Sequence, residues 1–311
     1  MLARQHGVSI IEMMIAMTLS LLVGLSAFAF YFQLKANYAF QQGLNRILQN
    51  AQIIHFAFKN AIAGVGSLGC LAVDFAIPIY GQDRLPIPIQ ADTMVREQYN
   101  RLMVQQAQSS AHKLVMNMFT ERAPITVERG ISGITSGDIA VISDCEQADI
   151  FTVSSVSTSG QSRTIYHTQQ PLSKAYAESA EVSVWNVNEY YIDESHYKNK
   201  QGKITKGLFV HNLLTGRSEE IVQGVEDWRL YYAVDSNQDG VVDKHQTASA
   251  IDDWSQVNGV IIYLLLTSVD EVLTVPSDYD FLGERYHATD RLLRKEIDLY
   301  IALRNPLHRR N

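Results

Sequence analysis

At 311 residues and 46% apolar content, the chain has ample material for a large domain or two small ones, which excludes disorder as its default state. The formal charge of −7 is spread along the chain, and no Lys/Arg cluster forms the basic footprint of a nucleic-acid binder. Two cysteines, Cys70 and Cys145, stand far apart and outside any CxxC or Cys/His spacing, which excludes a zinc or thiol-redox motif.

The chain opens with a polar leader, residues 1–7, that carries Arg4 and His6 and ends at Gly7. From Met13 to Phe32 there is no Asp, Glu, Lys, Arg or His. At ~1.5 Å per residue that run is long enough to cross a ~30 Å hydrocarbon layer as a helix. Arg4 on the leading flank predicts a cytoplasmic N-terminus with the body exported. Ala27-Phe28-Ala29 also fits the A-x-A pattern of an ordinary signal-peptide cleavage site. The apolar stretch exceeds a usual signal core, and the helical pattern runs on past the cut, so an uncleaved span is the stronger reading. Both readings export the body.

Glu12 stands at the edge of this run. A carboxylate at mid-depth costs roughly 2.5–3.5 kcal/mol, less near a helix end, so it is normally kept because something pairs with it. One reading is an interfacial Glu that reaches the headgroups. The other follows from Gly7: a cut after it would give Val8 a free amine four residues before Glu12. In a bundle of like helices that amine neutralises the Glu12 of a neighbour shifted along the axis, and the pair sets the packing register.

Past the membrane run the helical pattern continues, with Phe40, Leu44, Ile47, Ala51, Ile54, Phe58 and Ala61 three or four residues apart on one face. One helix from Val8 to Ile62 is predicted, residues 8–34 spanning the membrane and 35–65 amphipathic and packed on the body. Gly64, Gly66 and Gly69 mark its end. They spell GxGxxG, but a dinucleotide fingerprint follows a strand and opens a helix, and here a helix leads in.

Residues 66–311 read as one β-rich domain. Strand patterns occur at 138–143, 149–156, 181–187, 189–193, 207–211, 227–234, 259–267 and 296–303, and the polar-rich stretch 91–119 has room for one helix. The expected fold class is α+β, an antiparallel sheet domain packed on a long N-terminal helix.

The segment Asp235 to Asp243 is the sharpest site candidate. Asp235, Asn237, Asp239 and Asp243 occupy positions one, three, five and nine of an EF-hand-type calcium loop, with Gly240 at six and the Val241 carbonyl at seven. Position twelve is Gln246 rather than Glu, and a strand leads in, so a filled site would bind weakly or borrow Asp252 or Asp253. An Asx-rich hairpin turn needs the same residues without a metal. No HExxH, GxSxG or P-loop occurs, and His167, His196, His211 and His287 are scattered, so no catalytic residues are assigned.

The leader Gly7-Val8-Ser9-Ile10-Ile11-Glu12 and the apolar run behind it resemble the class III signal of type IV pilins and type II secretion pseudopilins. That resemblance implies cleavage after Gly7 by a prepilin peptidase and methylation of Val8, where Phe or Met is the commoner first residue. Further stretches narrow the resemblance to PilW-type minor pilins, related to J-type pseudopilins. They are Gly69-Cys70, Ser143-Asp144-Cys145, Ala148-Asp149-Ile150-Phe151, Gly224-Val225-Glu226-Asp227 with Tyr232 and Asp235, and Arg304-Asn305. The family implies an assembly subunit in a tip complex with other minor pilins and the major pilin. It presents an adhesin and supports twitching, attachment or DNA uptake, and it waits in the inner membrane before assembly. A J-type pseudopilin in a secretion piston is the first alternative, and a signal-anchored calcium-dependent hydrolase the second. Export favours oxidation, so a Cys70 to Cys145 disulfide is expected, worth about 4–5 kcal/mol at most by chain entropy.

Overall fold

The protein is described from a computed structural model covering residues 9–62, 65, 67–68, 71–72, 95–98, 101–108, 111–129, 133–168, 171–237, 239–253 and 256–303. Gly7, Val8, Cys70 and the helix-ending Gly64, Gly66 and Gly69 lie outside these residues.

Helix α1 runs unbroken over Ile10–Ile62, 53 residues and about 80 Å at the α-helical rise. Its two halves meet different surroundings. From Ile10 to Lys35 every residue is exposed, and no part of the apolar window is covered by the body. Two hydroxyls within this stretch turn back onto their own helix, Thr18 to the Ile15 carbonyl at 2.9 Å and Ser26 to the Leu22 carbonyl at 2.8 Å. Bonds of this kind satisfy a hydroxyl within its own helix, without a partner from outside it. In the second half Gly43, Ile47, Asn50, Ala51, Ile54, Phe58, Ala61 and Ile62 are buried, a stripe of helical period. The expected face is present from Ile47 to Ala61. Phe40, assigned to it from spacing, stays 39% exposed because the body begins one turn later.

The strands follow in chain order. Two short pairs open the series, β1 (Ser67–Leu68) with β2 (Leu71–Ala72) and β3 (Val95–Gln98) with β4 (Arg101–Ala107). Next come β5 (His112–Lys113), β6 (Ile125–Glu128), β7 (Ile139–Ser143), β8 (Ala148–Ser159), β9 (Ser162–His167) and β10 (Glu181–Lys198). The remainder are β11 (Ile204–Asn212), β12 (Arg217–Gln223), β13 (Val225–Val234), β14 (Lys244–Gln246), β15 (Val257–Thr267), β16 (Tyr279–Phe281), β17 (Glu284–Tyr286) and β18 (Arg294–Ala302). The α+β class expected from the sequence is the class observed. Every strand pair among the described residues is antiparallel.

A ten-stranded sheet follows the order β12-β11-β10-β7-β8-β9-β6, with β4 and β5 also on β10, and a four-stranded sheet follows β14-β13-β15-β18. Strand β10 is the spine. Its start pairs with β5 and β7, and its later residues pair with β4 on one side and β11 on the other. The patterns at 181–187 and 189–193, separate in the sequence reading, are therefore one strand of 18 residues. Asn188 does not break it because its side chain accepts from Asn212 Nδ2 on β11 at 3.0 Å.

The helix expected within 91–119 is overturned, since the described part forms β3, β4 and β5. Leu102, Met103, Val104 and Gln105 of β4 are all buried, and the strand satisfies the backbone of β10 from Tyr191 back to Trp185. A helix there would leave that edge of β10 without hydrogen bonds inside the protein.

Two apolar cores result. The first joins Ile47, Ile54 and Phe58 of α1 to Trp185, Tyr190, Trp228, Ile262 and Leu299 of both sheets. The second holds Leu114, Ile125, Phe151, Ile165, Tyr176 and Val182. Strand β7 divides them, Ile139 and Val141 facing the first core and Ala140 and Ile142 the second. Gly224 makes the turn from β12 to β13 at φ +80, where a Cβ would lie 2.4 Å from the Thr267 carbonyl oxygen. Only glycine fits that approach.

Candidate functional site

The start of α1 is closed by its own residues. Ser9 precedes the helix, its Oγ accepts from the Ile11 amide at 3.4 Å, and its carbonyl accepts from Met13 at 3.1 Å. Glu12 Oε2 accepts the Ser9 amide at 2.9 Å. Ser-x-x-Glu is a capping box, and a carboxylate in the first turn also faces the positive end of the helix dipole. That signal was legible in the sequence beside the reading of Glu12 as a partner for a neighbour's amine. Within one chain Glu12 caps the helix. Gly7 and Val8 lie outside the described residues, so the processing site stays a proposal.

At its other end α1 is fastened by polar contacts that periodicity could not reveal. Asn50, buried, donates from Nδ2 to the Gln223 carbonyl at 2.6 Å, and Arg46 Nη2 donates to Gln223 Oε1 at 3.1 Å. Gln223 passes the connection on from Nε2 to Ser195 Oγ at 2.8 Å. Phe58 sits edge-on to Tyr190 at 5.1 Å and 5.8 Å from Trp228. Burial pushes the Tyr190 phenol up to about 12. Helix and body are thereby coupled through both packing and hydrogen bonds.

Cys145 sits between β7 and β8 beside Asp144, and no free cysteine occurs among the described residues. Cys70 lies outside them, so the Cys70 to Cys145 pairing is a proposal. The turn is braced independently. Asp144 Oδ1 accepts the Glu146 and Gln147 amides at 2.9 Å each, and Lys174 Nζ lies 2.6 Å from Asp144 Oδ2. Burial works against charge on Asp144, but the Lys174 bond and the two amides outweigh it and hold the carboxyl below its ordinary value. Five positions on, Asp149 is fully buried and accepts three bonds on Oδ2, from the Ser173 amide at 2.8 Å, Ser173 Oγ at 2.5 Å and Tyr176 Oη at 2.8 Å. Burial first, and then the Asp149 charge, raise the Tyr176 phenol. It stays a donor.

The calcium-loop candidates come together as a turn. Asp235, 1% exposed, accepts the Asp239 amide at 3.2 Å on Oδ1, and the Gly240 amide at 2.8 Å and Asn258 Nδ2 at 2.9 Å on Oδ2. Asp239 accepts the Val241 amide at 2.8 Å, and Asp243 accepts the Ser236 amide and hydroxyl at 2.9 and 2.6 Å. Those Ser236 bonds hold the Asp243 carboxyl below its ordinary value. Such Asx bonds close the loop without a cation. Among the described residues no three His, Cys, Asp or Glu side chains are grouped to hold a metal. Gln246 lies on β14 and donates to the Ala250 carbonyl at 3.2 Å.

The histidines do not converge. His167 contacts the Thr168 and Ala123 carbonyls, His211 the Ser218 hydroxyl, His196 lies 3.9 Å from Glu220, and His287 lies 2.9 Å from Asp278.

Comparison with known families gives two matches. The model described as type IV pilus-assembly protein W matches residues 189–305, and the prokaryotic N-terminal methylation motif matches residues 2–28. The first stretch runs from within β10 past the end of β18, and the second runs from the leader into α1 as far as Phe28. No curated protein and no solved structure matches the chain.

Proposed function

We propose that this chain, which matches the type IV pilus-assembly protein W model over residues 189–305 and the N-terminal methylation motif over residues 2–28, is a PilW-type minor pilin that helps start filament assembly in a tip complex. The observation that carries this is the single helix Ile10–Ile62, apolar and uncovered in its first half and built into the body core in its second. A body held rigidly on such a helix can be drawn from a membrane and stacked on its neighbours without unfolding. The helix then polymerises, and the sheets select neighbours.

In this reading a prepilin peptidase cuts after Gly7 and methylates Val8, and Glu12 meets the amine of an adjacent subunit. The chain waits in the inner membrane by one span, N-terminus cytoplasmic and body outside. Its partners are other minor pilins, the major pilin and a tip adhesin. Twitching, attachment and DNA uptake are the processes served, and the role is structural rather than enzymatic. Intact mass and N-terminal sequencing, with and without a prepilin peptidase, test it. A peptidase-dependent product beginning at methylated Val8 supports the reading, and cleavage after Ala29 sinks it. Deletion of the gene then separates the pilus role, which predicts lost filaments, from a secretion pseudopilin, which predicts lost export.

Two smaller proposals belong to the exported body. A Cys70 to Cys145 disulfide would tie the exit of α1 to the β7–β8 turn, and two titratable thiols in purified, unreduced protein would remove it. Calcium at Asp235, Asn237, Asp239, the Val241 carbonyl and Asp243 is supported by the curl of this loop over Asp235. Calorimetry at millimolar calcium with neither heat nor a rise in Tm would end that proposal.

A further inference from the structure

A cleft of about 350 Å³ opens where the two sheets and the β16–β17 hairpin meet, lined by Lys206, Glu226, Asp227, Tyr279, Phe281 and Tyr286 among others. Its size falls at the lower end of the ~300–1,000 Å³ range of small-ligand sites. Tyr279 and Tyr286 stack at 5.4 Å with ring planes 14° apart, and the Arg294 guanidinium lies 4.9 Å from the Tyr279 centroid. Tyr279 is thus held between a cation and a ring, while Tyr286 remains 39% exposed. An exposed aromatic face, negative in its quadrupole, attracts the slightly positive C–H groups of a flat ligand.

The charges around this platform are already matched. Glu226 takes Arg294 at 2.6 Å, Arg294 takes Asp290 at 2.7 Å, and Asp227 takes Arg229 at 2.7 Å. Burial opposes the charge on Arg294, yet its bonds to Asp290 and Glu226 outweigh that and raise its pKa, so it stays ionised. With Lys206 counted, these three carboxylates face three cations, so net charge favours neither an anionic nor a cationic ligand. What the cleft still offers is carboxylate lone pairs on Glu226 and Asp227 and ammonium protons on Lys206, the acceptors and donors that hydroxyl groups use.

The hairpin is also held in place. The Leu282 amide donates to Glu296 Oε2 at 2.6 Å, and Phe281 is buried. Leu282 has φ +53, and among the described residues it is the one non-glycine with positive φ. With Gly283 at φ +80 it makes the two-residue turn between Phe281 and Glu284, the left-handed pair that a tight hairpin requires.

We propose that this cleft binds a neutral sugar ring, stacked on Tyr286 and hydrogen-bonded through its hydroxyls to Glu226, Asp227 and Lys206. The site lies on the body and does not depend on the assembly role. Detergent-solubilised full-length protein and its Tyr286→Ala and Tyr286→Phe variants are examined by saturation-transfer NMR. The probes are methyl β-D-galactopyranoside, methyl α-D-glucopyranoside and N-acetylglucosamine, with arginine methyl ester as a cationic control. We expect transfer to at least one sugar, at least tenfold weaker in Tyr286→Ala and retained in Tyr286→Phe, with Tm unchanged in both. No transfer to any sugar, equal transfer in Tyr286→Ala, or transfer to arginine methyl ester alone would each overturn the proposal.

Discussion

Ser9 and Glu12 close the first turn of α1 on each other, and a filament role for Glu12 adds a second demand on the same carboxylate. Gln can fill the third position of a capping box as well as Glu, but it carries no charge. Glu12→Gln is therefore expected to keep the helix and the membrane-held subunit while abolishing incorporation into filaments. Equal incorporation of the variant, scored by immunoblotting sheared filaments, would leave Glu12 as a cap alone. At Asp149 three donors meet one oxygen in full burial, and each hydrogen bond to a charged acceptor is worth roughly 1.5–3 kcal/mol. Asp149→Ala should cost the body about 3 kcal/mol or more in denaturant unfolding, and a loss below about 1 kcal/mol would mean that Ser173 and Tyr176 find other partners. Gly224→Ala faces both positive φ and a carbonyl oxygen inside contact distance. It is expected to cost at least about 2 kcal/mol by the same assay.

The halves of α1 differ in what they support. Ile54 and Phe58 are fully buried, and Phe58 touches both Tyr190 and Trp228, so Phe58→Ala should destabilise the body by about 3–5 kcal/mol. Phe30, 65% exposed in the uncovered apolar half, meets no part of the body. Phe30→Ala should leave body unfolding within about 0.5 kcal/mol of the parent. Similar losses for the two variants would show that the anchor half also packs on the sheets. The polar seam Arg46, Asn50 and Gln223 was not legible as an anchor, because helical period places Asn50 on the stripe without showing that β12 arrives beside it to accept its bond. Helical period identifies a buried stripe, but not which polar residue within it finds a partner.

Acid should loosen the whole body. Asp144, Asp270 and Asp290 have carboxyls held below their ordinary value of 3.8, and Glu271 below 4.5. Burial opposes the lowering at Asp144 and Asp270 and is outweighed, for Asp144 by Lys174 and for Asp270 by the Lys200 amide and ammonium. Arg294 acts first on Asp290, and Lys203 with Arg291 on Glu271. A depressed folded-state pKa stabilises the fold above the unfolded value, and that contribution is lost as pH falls through the folded value. Tm should therefore be level, as far as these groups decide it, from neutrality to about pH 5 and fall steadily below about pH 4. A Tm unchanged down to pH 3 would show that the four pairs contribute nothing to stability.

The sequence by itself determined the long helix, its uncovered apolar half, its body-facing stripe from Ile47 to Ala61, and most strands of the sheet domain. These follow from local signals, an uninterrupted apolar run and periods of 3.6 or 2 that one segment carries alone. Only the tertiary structure decided that residues 101–107 form a strand, that β10 crosses both cores without a break, and that Asp235 is satisfied by the turn it heads. Each of these depends on a hydrogen-bonding partner distant in sequence: β10 for β4, β7 and β11 for β10, and Asn258 for Asp235. The cleft beside Tyr286 has the same origin, since Lys206, Glu226 and Tyr286 share a wall only after two sheets and a hairpin have packed together.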